Sequence, residues 1–370
     1  MKTIIISFLF IVLAGCAYPN IGIKNKEIVG LPAKKNNEIR VHTFNIGVGS
    51  CHLIECANSQ PPIMYDCGSS GLKTSDKEFD ELRNKINSIL KKNNDLIRVV
   101  LSHPHSDHQN LLERLIRNGS GQPMLGRARI VSFWHGGEIS KTTNSIYNAK
   151  KILEGFPEYV APPWGNGKKL EGVAEVKGLS CGTQNTYAVA ANTYIKNKFY
   201  NSNSVTNAES LSLMISNGPD SNVLLTGDSI GSTQKEIVKN INNLKESKAI
   251  SRKNPIATLV SPHHGSSSNS SNNAEFAKAI QPRSVVYSAG NWYGHPKCSV
   301  TNNYFEFLDK AKGHEFKCGR NWGFGMALIP GLSKTTSTQR AEYVTKSSGD
   351  IITTVGPAKY SFDCSEDNNC

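Results

Sequence analysis

The segment that most constrains the fold is an apolar run followed at once by a cluster of metal-binding residue types. Residues 96–101, LIRVVL, form an almost continuous apolar stretch, which predicts a strand buried on both faces. Residues 103–108, HPHSDH, follow it directly. A strand end is rigid, and the loop that leaves it can direct several side chains toward one point. We therefore expect a metal site at this strand end, because imidazole and carboxylate are usual ligands of zinc and manganese.

The rest of the chain alternates predicted strands and helices. Three short strands precede a helix at residues 75–92, in which apolar residues recur at helical spacing. After a less regular middle part, the second half repeats this scheme, and its helices include one at residues 299–311. The segment NGPDSN between two of its strands is typical of a hairpin. Two strand-rich halves with flanking helices predict an α/β protein built as a four-layer αββα sandwich.

The first residues predict export. The apolar run from Ile4 to Ala14 is shorter than the roughly 20 residues that span a bilayer, but it suits the core of a secretory signal peptide. It ends in LAGC, which resembles a bacterial lipobox, so we predict a signal peptide at 1–15 and a lipidated Cys16. A polar tether would follow at residues 16–37. In a cell with two membranes, Ala17 after the cysteine favours the outer one.

Charge narrows the choice of partner. The chain has 42 Lys and Arg against 30 Asp and Glu, a formal net charge of +12, of which only Lys2 leaves with the signal peptide. A basic surface favours phosphate-rich partners such as DNA, anionic lipid or wall polymer. Because the basic residues are scattered, a charge that serves only solubility stays an alternative.

The cysteines indicate the compartment. There are nine, and removing the predicted lipidation cysteine leaves an even number in an exported chain, which predicts disulfides. Cys51 and Cys56 have opposite strand parity and would not face each other. Cys298 and Cys318 flank a predicted helix and the next strand.

The spacing H-x-H-x-D-H is the signature of the metallo-β-lactamase superfamily, and further segments resemble that superfamily in the same order. Asp66 in YDCG matches the aspartate that braces the metal loop, and Asp228 in LLTGD matches the carboxylate that bridges two metals. In SPHHG, His264 matches the late ligand, whereas His263 would be a second-sphere group or a proton donor. The resemblance implies the αββα fold and one or two Zn²⁺ or Mn²⁺ ions. The implied ligands are His103, His105, Asp107, His108, Asp228 and His264.

Within the superfamily, the chain is similar to the hydrolase domain of ComEC-type competence proteins, which take up DNA. The resemblance rests on NAESLSLMI, VLLTGDS, LVSPHHGSSSNSS and SVVYSAGNWYGHP, and it runs from about residue 38 to 325. It implies a metallo-hydrolase domain at 38–330 and leaves residues 331–370 as a C-terminal extension. The same subgroup contains secreted phosphorylcholine esterases.

Two features depart from this family. The first strand reads NIGVGS where the family often has D-V-G-Q-G-D, so Asn45 and Ser50 replace two carboxylates. The third ligand of the first metal is not obvious. His135 in FWHGG and Cys181 in GLSCG are the candidates, although a disulfide is an equal alternative for Cys181. Occupancy by two metals therefore stays open.

The resemblance implies hydrolysis by a metal-activated water. Asp107 would orient this water as well as bind metal. His295 in YGHP would hold a phosphate or protonate the leaving group, or else be a structural histidine before proline. Further candidate substrate contacts are Asn291, Tyr293, Ser266, Ser267 and Ser268.

The leading function is a lipid-anchored, metal-dependent phosphodiesterase or nuclease that acts outside the cytoplasm on DNA or another polyanion. One alternative is a phosphorylcholine-type esterase of the cell envelope, and a weaker one is hydrolysis of β-lactams. A different class is a non-catalytic module that binds DNA or wall polymer. The intact H-x-H-x-D-H cluster and Asp228 argue against this last alternative.

Overall fold

The computed structural model describes residues 31–72, 77–112, 115, 129–137, 167–193, 202–290, 293–319 and 333–366. The predicted signal peptide, Cys16 and most of the predicted tether lie outside these ranges. Within the described part of the chain, no helix is both long and apolar enough to cross a membrane.

One seven-stranded sheet contains the first strands of the chain. Its strands are β1 (Ile39–Thr43), β2 (Gly49–Glu55), β3 (Ile63–Ser69), β4 (Leu96–Leu101), β5 (Arg129–His135), β15 (Ile351–Val355) and β16 (Tyr360–Cys364). Their order is β16-β15-β1-β2-β3-β4-β5. Residues 331–370, which the sequence assigns to a C-terminal extension, supply β15 and β16 of this sheet. They are joined to the N-terminal part of the chain because β15 pairs antiparallel with β1.

A second seven-stranded sheet contains most of the later strands. They are β6 (Ala174–Glu175), β7 (Thr186–Ala190), β8 (Ser212–Ser216), β9 (Asn222–Leu225), β10 (Ile256–Val260), β11 (Val285–Tyr287) and β14 (Glu342–Val344). Their order is β14-β11-β10-β9-β8-β7-β6. β8 and β9 pair antiparallel, which confirms the hairpin predicted from NGPDSN. A separate ribbon joins β12 (Lys310–Gly319) to β13 (Ser333–Arg340).

Helices cover the outer faces of the sheets. The described helices are α1 (Lys77–Lys91), α2 (Ser106–Gln109), α3 (Ser202–Ala208), α4 (Gly231–Glu246), α5 (Ala274–Ile280), α6 (Cys298–Tyr304) and α7 (Thr345–Ser348). α1 buries Phe79, Leu82, Ile86 and Ile89, the residues that recur at helical spacing, and each contributes about 1.5–3 kcal/mol. The helix predicted at 299–311 is wrong at its end, because α6 ends at Tyr304 and residues 310–311 belong to β12 instead.

The layers follow from three apolar clusters. The inner faces of the two sheets pack together through residues such as Ile54 and Leu213. α1 packs on the outer face of the first sheet, and α4 and α5 pack on the outer face of the second. The predicted four-layer αββα sandwich is therefore confirmed.

Three disulfides add covalent links among the described residues. Cys51 bonds Cys67 across β2 and β3, and Cys56 bonds Cys181 between the two sheets. Cys51 and Cys56 thus have different partners and lie on opposite faces of the first sheet, which confirms that they do not face each other. The third disulfide joins Cys298 to Cys318.

Candidate metal centre

The loop after β4 turns almost at once into helix α2 and carries four of the predicted ligands. His103 is fully buried, His105 is half-buried, and α2 carries Asp107 and His108. Helix α2 packs directly on β3 because Gly68 has no side chain. A Cβ at Gly68 would lie 2.5 Å from the backbone nitrogen of His108. This close packing brings the ligand loop against the end of β3.

Asp66 braces this loop from β3. Asp66 lies in a β-bulge, because the register with β2 shifts there, and its φ is 56°. Its Oδ1 accepts a hydrogen bond of 2.7 Å from the backbone nitrogen of Ser102, and its Oδ2 accepts one of 2.7 Å from Ser102 Oγ. Oδ2 also accepts a hydrogen bond of 2.8 Å from His108 Nδ1. The lone pair of His108 is thereby left on Nε2, facing the site.

Asp228 lies at the centre of four imidazoles. It follows β9 and is buried, with Oδ1 3.0 Å from His108 Nε2 and 3.4 Å from His264 Nε2. Its Oδ2 lies 3.6 Å from His263 Nε2 and 3.9 Å from His103 Nε2. One carboxylate thus contacts residues that follow β4 and residues that follow β10.

His264 reaches the same point from the end of β10. The chain turns there in the left-handed region, with φ of 49° at His263 and 55° at His264, a conformation that costs about 1–3 kcal/mol per residue. His264 Nδ1 donates a hydrogen bond of 2.8 Å to the carbonyl oxygen of Ser288. Its Nε2 therefore presents a lone pair toward Asp107, whose Oδ2 lies 3.7 Å away.

The ligand atoms form two overlapping groups of three, in each of which all atoms lie within 4.8 Å of one another. One group is His103, His108 and Asp228, and the other is Asp107, His108 and His264. His105 stands beside the first group, with Nδ1 3.1 Å from His103 Nε2. The structure thus brings all six predicted ligands together.

The donor set fits a divalent transition metal. His108 Nε2, His264 Nε2 and Asp228 Oδ1 are buried atoms that lack a hydrogen-bond partner among the described residues. They face one another, and both imidazoles have their other nitrogen engaged by Asp66 or by Ser288. Buried nitrogen lone pairs beside carboxylate oxygens are unfavourable unless a cation lies between them.

The electrostatics agree with a cation site. Burial opposes ionisation of Asp228, but His108, His263 and His264 hold the pKa of its carboxyl well below the usual range. Burial likewise opposes ionisation of Asp107, and His264 and His108 lower the pKa of that carboxyl. Both side chains therefore stay charged at neutral pH.

Neither candidate for a third ligand of the first metal reaches the centre. Cys181 cannot supply a thiolate because it is bonded to Cys56 in the core between the sheets. His135 is buried with Nδ1 3.2 Å from the carbonyl oxygen of the next residue, and it belongs to neither ligand group. Sequence reasoning missed Ser210, whose Oγ accepts a hydrogen bond of 3.1 Å from the backbone nitrogen of Asp228. This serine lies in the segment NAESLSLMI, whose resemblance to the family did not indicate the contact.

His263 lies at the rim. Its Nε2 is 3.4 Å from Asn207 Nδ2, and its Nδ1 is 3.5 Å from Ser268 Oγ. Ser266 Oγ lies 2.8 Å from Ser268 Oγ, whereas Ser267 is exposed. Of the serine run, Ser268 is therefore the member beside His263.

Of the other predicted substrate contacts, His295 and Tyr293 lie in the described part of the chain. The His295 ring lies 6.3 Å from the His263 ring and 6.0 Å from the Tyr293 ring, measured between centroids. Asn291 lies outside the described residues.

The two positions that depart from the ComEC-type family have ordinary polar contacts. The backbone nitrogen of Asn45 donates to Asp350 Oδ1 at 2.8 Å, and Ser50 Oγ lies 2.8 Å from His52 Nε2. Burial, together with His108 and His264, lowers the pKa of His52 to about 3. A neutral imidazole therefore stands behind the centre.

Comparison with known proteins gives one matching family model and a number of solved structures, including the following two. Residues 45–188 match the family model of the metallo-beta-lactamase superfamily. The metallo-beta-lactamase fold protein YhfI from Bacillus subtilis is 12% identical, covers 73% of this chain and 94% of its own, and has a TM-score of 0.36. The DIM-1 metallo-beta-lactamase is 13% identical, covers 64% and 88%, and has a TM-score of 0.32. No curated protein sequence matches the chain.

The matched residues include Asp66 and the whole cluster at 103–108. The second sheet adds Asp228 and His264 to the same centre. Residues 45–188 therefore match a metallo-beta-lactamase superfamily domain, and the chain has the αββα fold of that superfamily.

Proposed function

We propose that this protein is an exported, lipid-anchored, metal-dependent phosphodiesterase that acts on DNA or another phosphate-rich polymer. The observation that carries the hydrolytic part is the convergence of two buried Nε2 atoms, those of His108 and His264, on the carboxylates of Asp107 and Asp228. Such a set of imidazole nitrogens and carboxylate oxygens suits a transition metal beside a reacting oxygen.

One or two Zn²⁺ or Mn²⁺ ions fit the centre. A bound metal would lower the pKa of a water and stabilise negative charge on a phosphoryl oxygen. The residues that would hold it are His103, His105, Asp107, His108, Asp228 and His264.

The chain's own side chains supply the remaining chemistry. Asp107 is less buried than Asp228 and stays charged, so it can accept a hydrogen bond from the attacking water and orient it. His263 is placed to donate a proton to the leaving oxygen. Burial lowers the pKa of its imidazole, and Asp228 Oδ2 at 3.6 Å opposes that shift. His295, beside His263, can hold an oxygen of a phosphate group of the substrate.

Charge and cysteine usage support the polymer substrate and the location. A net charge of +12 favours a chain of phosphates, whose counterions are released on binding. Three disulfides suit an oxidising space outside the cytoplasm. The lipobox-like LAGC would anchor the protein there through Cys16.

The test is a substrate panel at matched metal and salt. It contains DNA, RNA, bis(p-nitrophenyl) phosphate, a phosphorylcholine ester and a β-lactam. We expect the protein to cleave DNA and the small phosphodiester, to stop with chelator, and to lose roughly 100-fold activity in Asp228→Asn. The exposed Asp220→Asn is the matched control.

The panel also separates the alternatives. Turnover of the phosphorylcholine ester alone would make the protein an envelope esterase, and turnover of the β-lactam alone would make it a lactamase. No turnover in metal-loaded protein, with salt-sensitive DNA binding, would make it a binding module.

A further inference from the structure

Two lysine side chains flank His295 at the rim of the metal centre. Lys346 Nζ donates a hydrogen bond to the carbonyl oxygen of His295, and Lys297 Nζ donates one of 2.9 Å to the carbonyl oxygen of Tyr293. Lys346 belongs to α7, whereas Lys297 immediately precedes α6. Two separate segments therefore place ammonium groups around one histidine.

Both segments are fixed against the ligand His264. The backbone nitrogen of Lys297 donates a hydrogen bond of 2.9 Å to the carbonyl oxygen of Gly265, the residue after His264. Thr345, the neighbour of Lys346, accepts a hydrogen bond of 3.0 Å from the backbone nitrogen of Ala289. Ala289 follows the residue whose carbonyl oxygen binds His264 Nδ1. The two lysines therefore have a defined position relative to the metal centre.

The positive charge at this point is not balanced. Burial, with the nearby charges of Lys317 and Lys297, lowers the pKa of Lys346 to about 8. Burial also lowers the pKa of Lys297. Within the described part of the chain, no carboxylate pairs with either ammonium group. Like charges held together without a counter-charge are unfavourable, and an anion would relieve this cost.

His295 provides a second and independent sign of a ligand. Its Nδ1 is a buried atom with no hydrogen-bond partner among the described residues. Its ring faces His263, which contacts Asp228. An oxygen atom of an anion bound between the lysines would complete the hydrogen bonding of this nitrogen.

We propose that Lys297, Lys346 and His295 form a subsite for a second phosphate group of the substrate, next to the phosphodiester at the metal centre. The inference rests on the proposed function, because it assumes that a phosphodiester is cleaved at the neighbouring centre. It makes the substrate a chain of phosphates rather than an isolated diester. Two ammonium groups and an imidazole suit the several oxygens of a phosphate.

The first experiment compares one phosphate with two. The metal-loaded full chain is assayed on the dinucleotide TpT, on its 5′-phosphorylated form pTpT, and on a glycerol-phosphate dimer with the same two phosphates. The variants are Lys346→Met, Lys297→Met and Lys346→Arg, with the exposed Lys278→Met of α5 as control. We expect the wild type to prefer the two-phosphate substrates about tenfold. Each methionine variant should raise KM for them about tenfold, while kcat and the KM for TpT stay unchanged.

The arginine variant and the control refine the result. Lys346→Arg should keep part of the preference because it keeps the charge, and Lys278→Met should keep all of it. The ratio of the turnover of pTpT to that of the glycerol-phosphate dimer distinguishes a nucleic-acid strand from a wall polymer as the substrate. A preference for either of them over TpT supports the subsite. Equal turnover of TpT and both two-phosphate substrates by the wild type would overturn it.

The second experiment does not depend on activity. The metal-free full chain is titrated calorimetrically with thymidine 3′,5′-bisphosphate, and we expect both methionine variants to bind about tenfold more weakly. Unchanged affinity in both variants would overturn the subsite, whether or not a phosphodiester is cleaved. Absence of phosphodiester cleavage, by contrast, would defeat only the proposed function. If one variant does not fold, as judged by circular dichroism, the other decides.

Discussion

The carboxylate of Asp66 and the imidazole of His108 are joined by a hydrogen bond of 2.8 Å that ties β3 to α2. The same carboxylate accepts two more hydrogen bonds, from the backbone nitrogen and the hydroxyl of Ser102. Three donors therefore converge on one buried side chain. Its two oxygens hold the loop that carries His103 and His108 in position for metal.

Replacing Asp66 by asparagine should weaken metal binding without removing a ligand. Asparagine has a single acceptor oxygen, so at least one of the three donors loses its partner. We expect zinc affinity to fall roughly 10–100-fold, as for other groups that orient ligands. Competition with a chromophoric chelator measures this, and Asp220→Asn is the control. An unchanged dissociation constant in folded Asp66→Asn protein would show that the brace is dispensable.

Glu342 should make stability depend on pH. It is buried on β14, and burial raises the pKa of its carboxyl to about 7 from an ordinary 4.5. Because the pKa is raised in the folded state, the stability that protonated Glu342 contributes is complete below about pH 4.5 and is lost as the pH rises through about 7. The loss amounts to about 3 kcal/mol, as an order of magnitude.

The test for Glu342 is urea unfolding of wild type and Glu342→Gln at pH 5 and at pH 8.5. The difference in unfolding free energy between them should shift in favour of the variant at the higher pH, because glutamine does not titrate. The exposed Glu306→Gln should show no such shift. Parallel pH profiles for wild type and Glu342→Gln would contradict the assignment.

The disulfide between Cys56 and Cys181 should contribute most to stability among the three described disulfides. It closes a sequence separation of 125 residues, against 20 for Cys298 and Cys318. Loop-closure entropy then predicts losses of about 5 and about 3 kcal/mol when each pair is replaced by alanine. Chemical denaturation of the two double variants under non-reducing conditions measures the difference. A larger loss for the Cys298 pair would mean that strain or residual structure outweighs loop entropy.

Cys16 should determine where the protein resides. Cys16→Ser should stay uncut or leave the membrane fraction, whereas Ala17→Ser should remain membrane-bound. Fractionation of cells and the mass of the mature N-terminus give the answer. A Cys16→Ser protein with normal processing and normal membrane binding would rule out lipidation at this position.

Part of the metal centre could be predicted from the sequence because its information is local. Residues 103–108 follow a buried strand, and their spacing alone indicates metal ligands. His264 could be predicted through the resemblance of SPHHG to the late histidine motif of the superfamily. The choice between ligand and disulfide for Cys181 could not be made, because it depends on Cys56, 125 residues away.

The sequence by itself determined the two strand-rich halves, the amphipathic helix α1 and the residue types of the centre, because periodicity and spacing act over a few neighbouring residues. Only the tertiary structure decided which distant groups meet. Cys56 bonds Cys181 across 125 residues, and Lys346 reaches His295 across 51. Such pairs depend on how two sheets pack and which strand ends become adjacent, and no local pattern encodes that geometry.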